Sequence, residues 1–98
     1  MEFLVEFDTH IPDGTSDAEI EQRQRAEASA AARLASDGHL VRVWRTQDGG
    51  SAGRRALGLY RADGEAQLDA LLRCLPLHEW MQITVTPLEP HPNDPPQS

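Results

Sequence analysis

The sequence predicts a small α+β domain whose four strands and two helices follow one another as βαββαβ. Two observations carry this: four short stretches alternate apolar with polar residues, and two longer ones show helical spacing between clear start and stop residues. In the first stretch, Glu2 to Thr9, Phe3, Val5 and Phe7 fall on one face and Glu2, Glu6 and Asp8 on the other, with Leu4 a mild exception. Ile11-Pro12-Asp13-Gly14 then makes a turn. Ser16 or Asp17 can cap a helix running from about Asp17 to Asp37, and Gly38 supplies its left-handed stop. Leu40 to Thr46 is a second strand, the glycine-rich stretch from Gln47 to Gly53 a hairpin loop, and Arg54 to Arg61 a third strand. A second helix spans about Gly64 to Cys74, with Leu68, Leu71, Leu72 and Leu75 on its buried side and Pro76 after it. Met81 to Pro87 alternates again as the fourth strand.

This order is that of a ferredoxin-like plait, with both helices on one face of one sheet. Residues 1–87 make the domain. Residues 88–98, rich in proline, make an extended tail that is either a frayed end or a strap against a neighbouring chain. The other sheet face has no element to cover it, so an apolar surface there calls for a dimer or a cleft.

With 98 residues, 39% of them hydrophobic and only 5% aromatic, the core is lean, and much of the apolar content is alanine in the first helix. Small side chains permit close approach, which favours burial against a partner chain. A net charge of −7 argues against a nucleic-acid surface or an anionic membrane face, yet leaves room for local arginines around an acidic ligand. No apolar stretch approaches the length of a membrane span, and Met1 runs straight into a strand without a leader, so the expected compartment is the cytoplasm. Cys74 is the sole cysteine, which excludes an intrachain disulfide, and is expected at a buried apolar position on the second helix.

Within the first helix Ile20, Glu27 and Leu34 recur every seven residues. That spacing keeps them within roughly 20° per step of one line down the helix. Ala30, Ala31 and Ala35 fill out the same side. A carboxylate on such a stripe must be paired, neutralised or aimed into a polar pocket, and the last two conditions make a general acid or base. The plainer alternative is that Glu27 snorkels to solvent or pairs with Arg23 four residues earlier.

Arg42 and Arg45 bracket Trp44, with Arg42 and Trp44 on one strand face and Arg45 on the other. A guanidinium beside an aromatic ring suits a carboxylate-bearing ligand. Arg54 and Arg55 flank the glycine-rich loop as further candidates, and all of these arginines can equally serve to offset nearby acids. His10, His39, His78 and His91 have no zinc-ligand spacing, the glycines open no helix as a phosphate or dinucleotide loop would, and neither Cys74 nor Ser29 has the context of a nucleophile. One carboxylic group in an apolar pocket is enough to move a proton beside a carbonyl and return it elsewhere on a conjugated system, with a nearby arginine or backbone donor holding the enolate charge. That chemistry requires no cofactor or metal, and no motif for either is present.

The strand ending near Ile11-Pro12, the helix with Glu27 and Arg33-Leu34, Gly38, the Leu40 to Arg45 strand with Trp44-Arg45, Leu75-Pro76-Leu77, Met81 and the closing His91-Pro92 follow one another as in muconolactone delta-isomerases, which the chain resembles over nearly its whole length. The resemblance implies a chain that pairs through its sheets into a dimeric α+β barrel and assembles further into a decamer. It also implies cofactor-free isomerisation of a carboxymethyl butenolide lactone in aromatic catabolism. By the same resemblance Glu27 is the proton-transfer residue, Trp44 and Arg45 are pocket or interface residues, and His91 belongs to a tail packed near a neighbouring chain. Three departures predict a reshaped pocket: Ala28 stands where the family carries lysine, Arg42 where it carries histidine, and Gly49 to Arg55 replaces a shorter approach bearing tyrosine and asparagine. The expected activity is therefore an isomerase acting on muconolactone or a related enone, with Glu27 as base and acid and with Arg42, Trp44, Arg45, Arg54 and His91 contacting substrate. The alternatives are a noncatalytic barrel that binds a small ligand or stabilises a partner, and a related cyclase.

Overall fold

The computed structural model describes residues 1–46 and 55–96. Its elements are β1 (Glu2–Thr9), α1 (Asp17–Ser36), β2 (Leu40–Arg45), β3 (Arg55–Arg61), α2 (Glu65–Arg73), a short 3-10 turn (His78–Trp80) and β4 (Met81–Leu88). The strands form one antiparallel sheet in the order β2-β3-β1-β4. This is the ferredoxin-like arrangement expected from the sequence, with β4 running one residue further, to Leu88. The Gln47 to Gly53 loop and Arg54 lie outside the described residues.

Local chemistry sets the boundaries. The Ser16 hydroxyl accepts from the Glu19 amide at 3.2 Å, satisfying one of the orphan donors of the first turn of α1. At the other end Gly38 has φ of +84°, and the amides of Gly38 and His39 donate to the carbonyls of Ala35 and Leu34, so the chain reverses directly into β2. The His39 and Arg61 backbones lock that reversal to β3: the Arg61 amide donates to the His39 carbonyl at 2.7 Å.

Alternation along β1 makes the core. Phe3, Val5 and Phe7 are buried, and their register partners on β3, namely Tyr60, Gly58 and Ala56, share their face. Leu68, Leu72 and Leu75 from α2 and the half-buried Ala30 and Leu34 from α1 pack onto that face. At about 1.5–3 kcal/mol for each large apolar side chain fully buried, these few residues supply most of the hydrophobic stabilisation.

Two expectations need correction. Cys74 is exposed. Leu68, Leu72 and Leu75 recur at helical spacing toward the sheet, and Cys74, two positions after Leu72, is turned roughly 200° away from it. Second, Ala35, expected on the side of Ile20, Glu27 and Leu34, is exposed, while Ile20, Glu27, Ala30, Ala31 and Leu34 are half-buried. A stripe made mainly of alanine does not reach far enough into the sheet to be enclosed by it.

The opposite sheet face carries Leu4, Leu57 and Leu59, all half-buried, together with exposed Trp44 and Leu88. Charged residues frame it: Arg61 pairs with Glu2 at 2.9 Å and Arg55 with Glu6 at 3.5 Å. An irregularity between Leu40 and Arg42 shifts the β2 register, so Leu40 opposes Tyr60 on the helix side whereas Arg42 and Trp44 oppose Leu59 and Leu57 on the open side.

Candidate active site

Glu27 lies half-buried on the inward side of α1, and its Oε1 accepts a hydrogen bond from the Leu77 amide at 3.0 Å. Two opposing influences act on the carboxyl. Burial raises its pKa above the ordinary value of 4.5, and the Leu77 amide, which favours the ionised form, offsets part of that rise. The result is a carboxyl group oriented by one backbone donor and held partly out of water, as proton transfer requires.

Arg23 is not its partner. The Arg23 guanidinium lies 4.4 Å above the Trp80 ring and pairs with Glu79 and with Glu19, the latter at 3.4 Å. The simple ion pair with Glu27 suggested by the four-residue spacing does not form, because Glu79 and Trp80 give Arg23 two better partners, a carboxylate and an aromatic face.

Tyr60 faces Glu27 from the sheet. Burial and the neighbouring Glu27 charge push its phenol up to about 12, so it remains a neutral hydroxyl across the working pH range. Its ring leans across Gly58 toward Phe7, with the two ring centroids 6.1 Å apart. A side chain at position 58 would place its Cβ 2.6 Å from the Tyr60 ring, so the glycine makes the berth that lets the phenol lie under α1.

The other sequence candidates are dispersed in a single chain. Arg45 opposes Ala56 and so shares the sheet face of Phe7 and Tyr60. Arg42 lies 5.2 Å over the Trp44 ring on the open face, across the sheet from Glu27. His91 belongs to the tail, which lies against Met1, Glu2 and Leu88 at the end of the sheet away from Met81, and its Nδ1 accepts from the Asn93 amide at 2.9 Å. Arg54 lies outside the described residues. Among the described residues no three His, Cys, Asp or Glu side chains are grouped as metal ligands, and no helix is long and apolar enough to cross a membrane.

Sequence reasoning did not assign Tyr60, the Leu77 amide or Trp80 to the site. Alternation on β3 could have put Tyr60 on the inner face two residues from a glycine. Nothing local points to the other two, which lie 50 and 53 positions beyond Glu27.

Residues 1–94 match the muconolactone delta-isomerase family. The chain belongs to that family. Muconolactone Delta-isomerase 1 of Acinetobacter lwoffii is 30% identical over 94 residues, covering 95% of this chain and 93% of that protein. A crystal structure of muconolactone isomerase superposes with a TM-score of 0.87 at 24% identity, over 100% of this chain and 98% of that one. The second match shows the shared fold. Family membership identifies the chain as an isomerase and gives the half-buried Glu27 carboxyl a reaction class to be weighed against.

Proposed function

We propose that this isomerase shifts a proton along the conjugated system of muconolactone or a closely related unsaturated lactone, with Glu27 as the group that removes and returns it. The observation carrying this reading is the Glu27 carboxyl itself, half-buried, raised in pKa and oriented by the Leu77 amide in a member of the muconolactone delta-isomerase family. In a butenolide the acidic C–H is on the saturated ring carbon attached to the far end of the C=C bond conjugated to the lactone carbonyl. Glu27 as carboxylate takes that proton, and the electron pair spreads toward the carbonyl oxygen as a dienolate. The resulting carboxylic acid returns the proton to the carbon beside the carbonyl, which moves the double bond and regenerates the base. A neutral donor such as the Tyr60 phenol is suited to the enolate oxygen. Of the two candidate anion holders, Arg45 shares a face with Glu27, which favours it over Arg42 for the substrate carboxylate. Incubation with muconolactone in heavy water tests the reaction: NMR should show product carrying deuterium beside the carbonyl at substoichiometric enzyme. No turnover of muconolactone or other enone lactones would refute the reading.

The open sheet face, with Leu4, Leu57, Leu59 and Trp44, supports pairing of two chains face to face into an α+β barrel, with the exposed alanines of α1 available for further assembly. Leu59→Asp should shift the mass measured by light scattering to that of a 10.9 kDa monomer. An unchanged oligomer would place the interface elsewhere.

A further inference from the structure

We propose that Arg23 is a positioning residue for Glu27, acting through the 76–80 segment whose Leu77 amide holds the carboxyl group. This rests on Glu27 being the proton carrier.

The segment between α2 and β4 is short and has to present a backbone N–H to a side chain on a different helix. Its shape comes from local bonds: the His78 amide donates to the Leu75 carbonyl at 2.9 Å and the Trp80 amide to the Leu77 carbonyl at 2.9 Å. These fix the turn internally but do not fix its distance from α1. Two attachments do that. At the sheet end, the His10 amide donates to the Trp80 carbonyl at 2.7 Å, tying the segment to the end of β1. On the helix side, Arg23 grips it at three points. Its Nη1 donates to the Pro76 carbonyl at 3.4 Å and pairs with Glu79, while its guanidinium plane covers Trp80 at 4.4 Å. Glu19, one turn earlier, pairs with Nη2 at 3.4 Å.

The contacts of Arg23 therefore straddle Leu77, reaching Pro76 before it and Glu79 and Trp80 after it. Glu27 and Arg23 lie one turn apart on α1, so one rigid helix carries both the carboxyl group and the clamp that brings its donor to it. A planar, five-donor guanidinium can meet a carbonyl, a carboxylate and a ring face at once; an ammonium cannot. Among the described residues, the titratable and charged groups on the elements that meet at Glu27 and Leu77 include Tyr60 on β3, His78 and Glu79 on the segment, Arg23 and Glu19 on α1, and His10, which pairs with Asp8 at the end of β1. Tyr60 feels the Glu27 charge, which adds to burial in raising its phenol. The structural link from Arg23 to Glu27 runs through the segment that carries the Leu77 amide.

The test compares Arg23→Leu, Arg23→Lys, Glu79→Gln and Glu27→Gln with the parent chain. Folding is checked by thermal melts, the Glu27 carboxyl is titrated by 13C NMR, and kcat and KM are followed against pH. Arg23→Leu should move the Glu27 titration and the acid limb of kcat/KM upward by roughly one pH unit. It should lower kcat about tenfold with KM within about twofold, since orientation and not binding is lost. Glu79→Gln should shift both readouts the same way by less, and Arg23→Lys should recover only part of the loss. A folded Arg23→Leu protein with the parent titration and kcat overturns the proposal. If that variant does not fold, Glu79→Gln decides by the same two readouts. Parent-like turnover in Glu27→Gln would instead sink the assignment of Glu27, a separate outcome from an unmoved Glu27 titration.

Discussion

Glu27→Gln should abolish most turnover while leaving the protein folded and slightly more stable at neutral pH. Glutamine is nearly isosteric, and its Oε1 can still accept the Leu77 amide that now reaches the carboxylate at 3.0 Å. What it cannot do is exchange a proton with carbon. Removal of a positioned general acid–base group costs on the order of 10²–10⁴ in kcat, and that range is expected here with KM little changed. The stability effect follows from the raised pKa of Glu27. Between the ordinary 4.5 and its higher folded value, the folded state binds more protons than the unfolded chain, so stability falls as pH rises through that window. Above the window the parent carries the full cost of an ionised, half-buried carboxylate, and below 4.5 it carries none. Glutamine never ionises. Melting temperatures of variant and parent should therefore separate at neutral pH, with the variant higher, and converge in acid. Undiminished turnover would remove Glu27 from the reaction, and a parent more stable than the variant at neutral pH would mean that the hydrogen bond to Leu77 outweighs the desolvation.

Phe3→Ala should be the most damaging single change to the fold. Phe3 is 0% exposed, sits between Tyr60 and Pro87 in the sheet, and joins the cluster with Leu68 and Leu72. Truncating a buried phenylalanine costs about 3–5 kcal/mol, because the lean surroundings have few side chains able to fill the space. Domains of this size have about 5–15 kcal/mol in total, so the variant should lose much of its urea midpoint and approach unfolding at physiological temperature. Val85→Ala on the same face is a useful contrast, since Val85 is 37% exposed on an edge strand and should lose about 1 kcal/mol or less. Equal losses at the two positions would mean that the core does not centre on Phe3.

The elements were legible because their signals are local. Phe3, Val5 and Phe7 alternate without interruption, Ser16 and Gly38 bracket α1 in sequence as they do in space, and Leu68, Leu72 and Leu75 mark one helix face. Glu27 could be singled out for the same reason: a carboxylate on an apolar helical stripe is an anomaly of periodicity alone. The burial of Cys74 was misjudged because proximity in sequence to leucines says nothing about direction once the helix turns through 3.6 residues.

The rest depended on who meets whom. Arg23 had Glu27 and Glu19 within reach along its own helix; it pairs with Glu19 and, instead of Glu27, with Glu79 and Trp80, more than fifty residues away. The side of the sheet on which Arg42 and Trp44 stand turned on a register shift beside Leu40, invisible in a strict two-residue alternation. Chain periodicity was sufficient to specify the plait and to nominate one acid, since both follow from each residue's spacing to its near neighbours. The donor to that acid, the berth of Tyr60 over Gly58 and the segregation of the arginines required the folded molecule, because each is a contact between elements whose relative placement is set by packing.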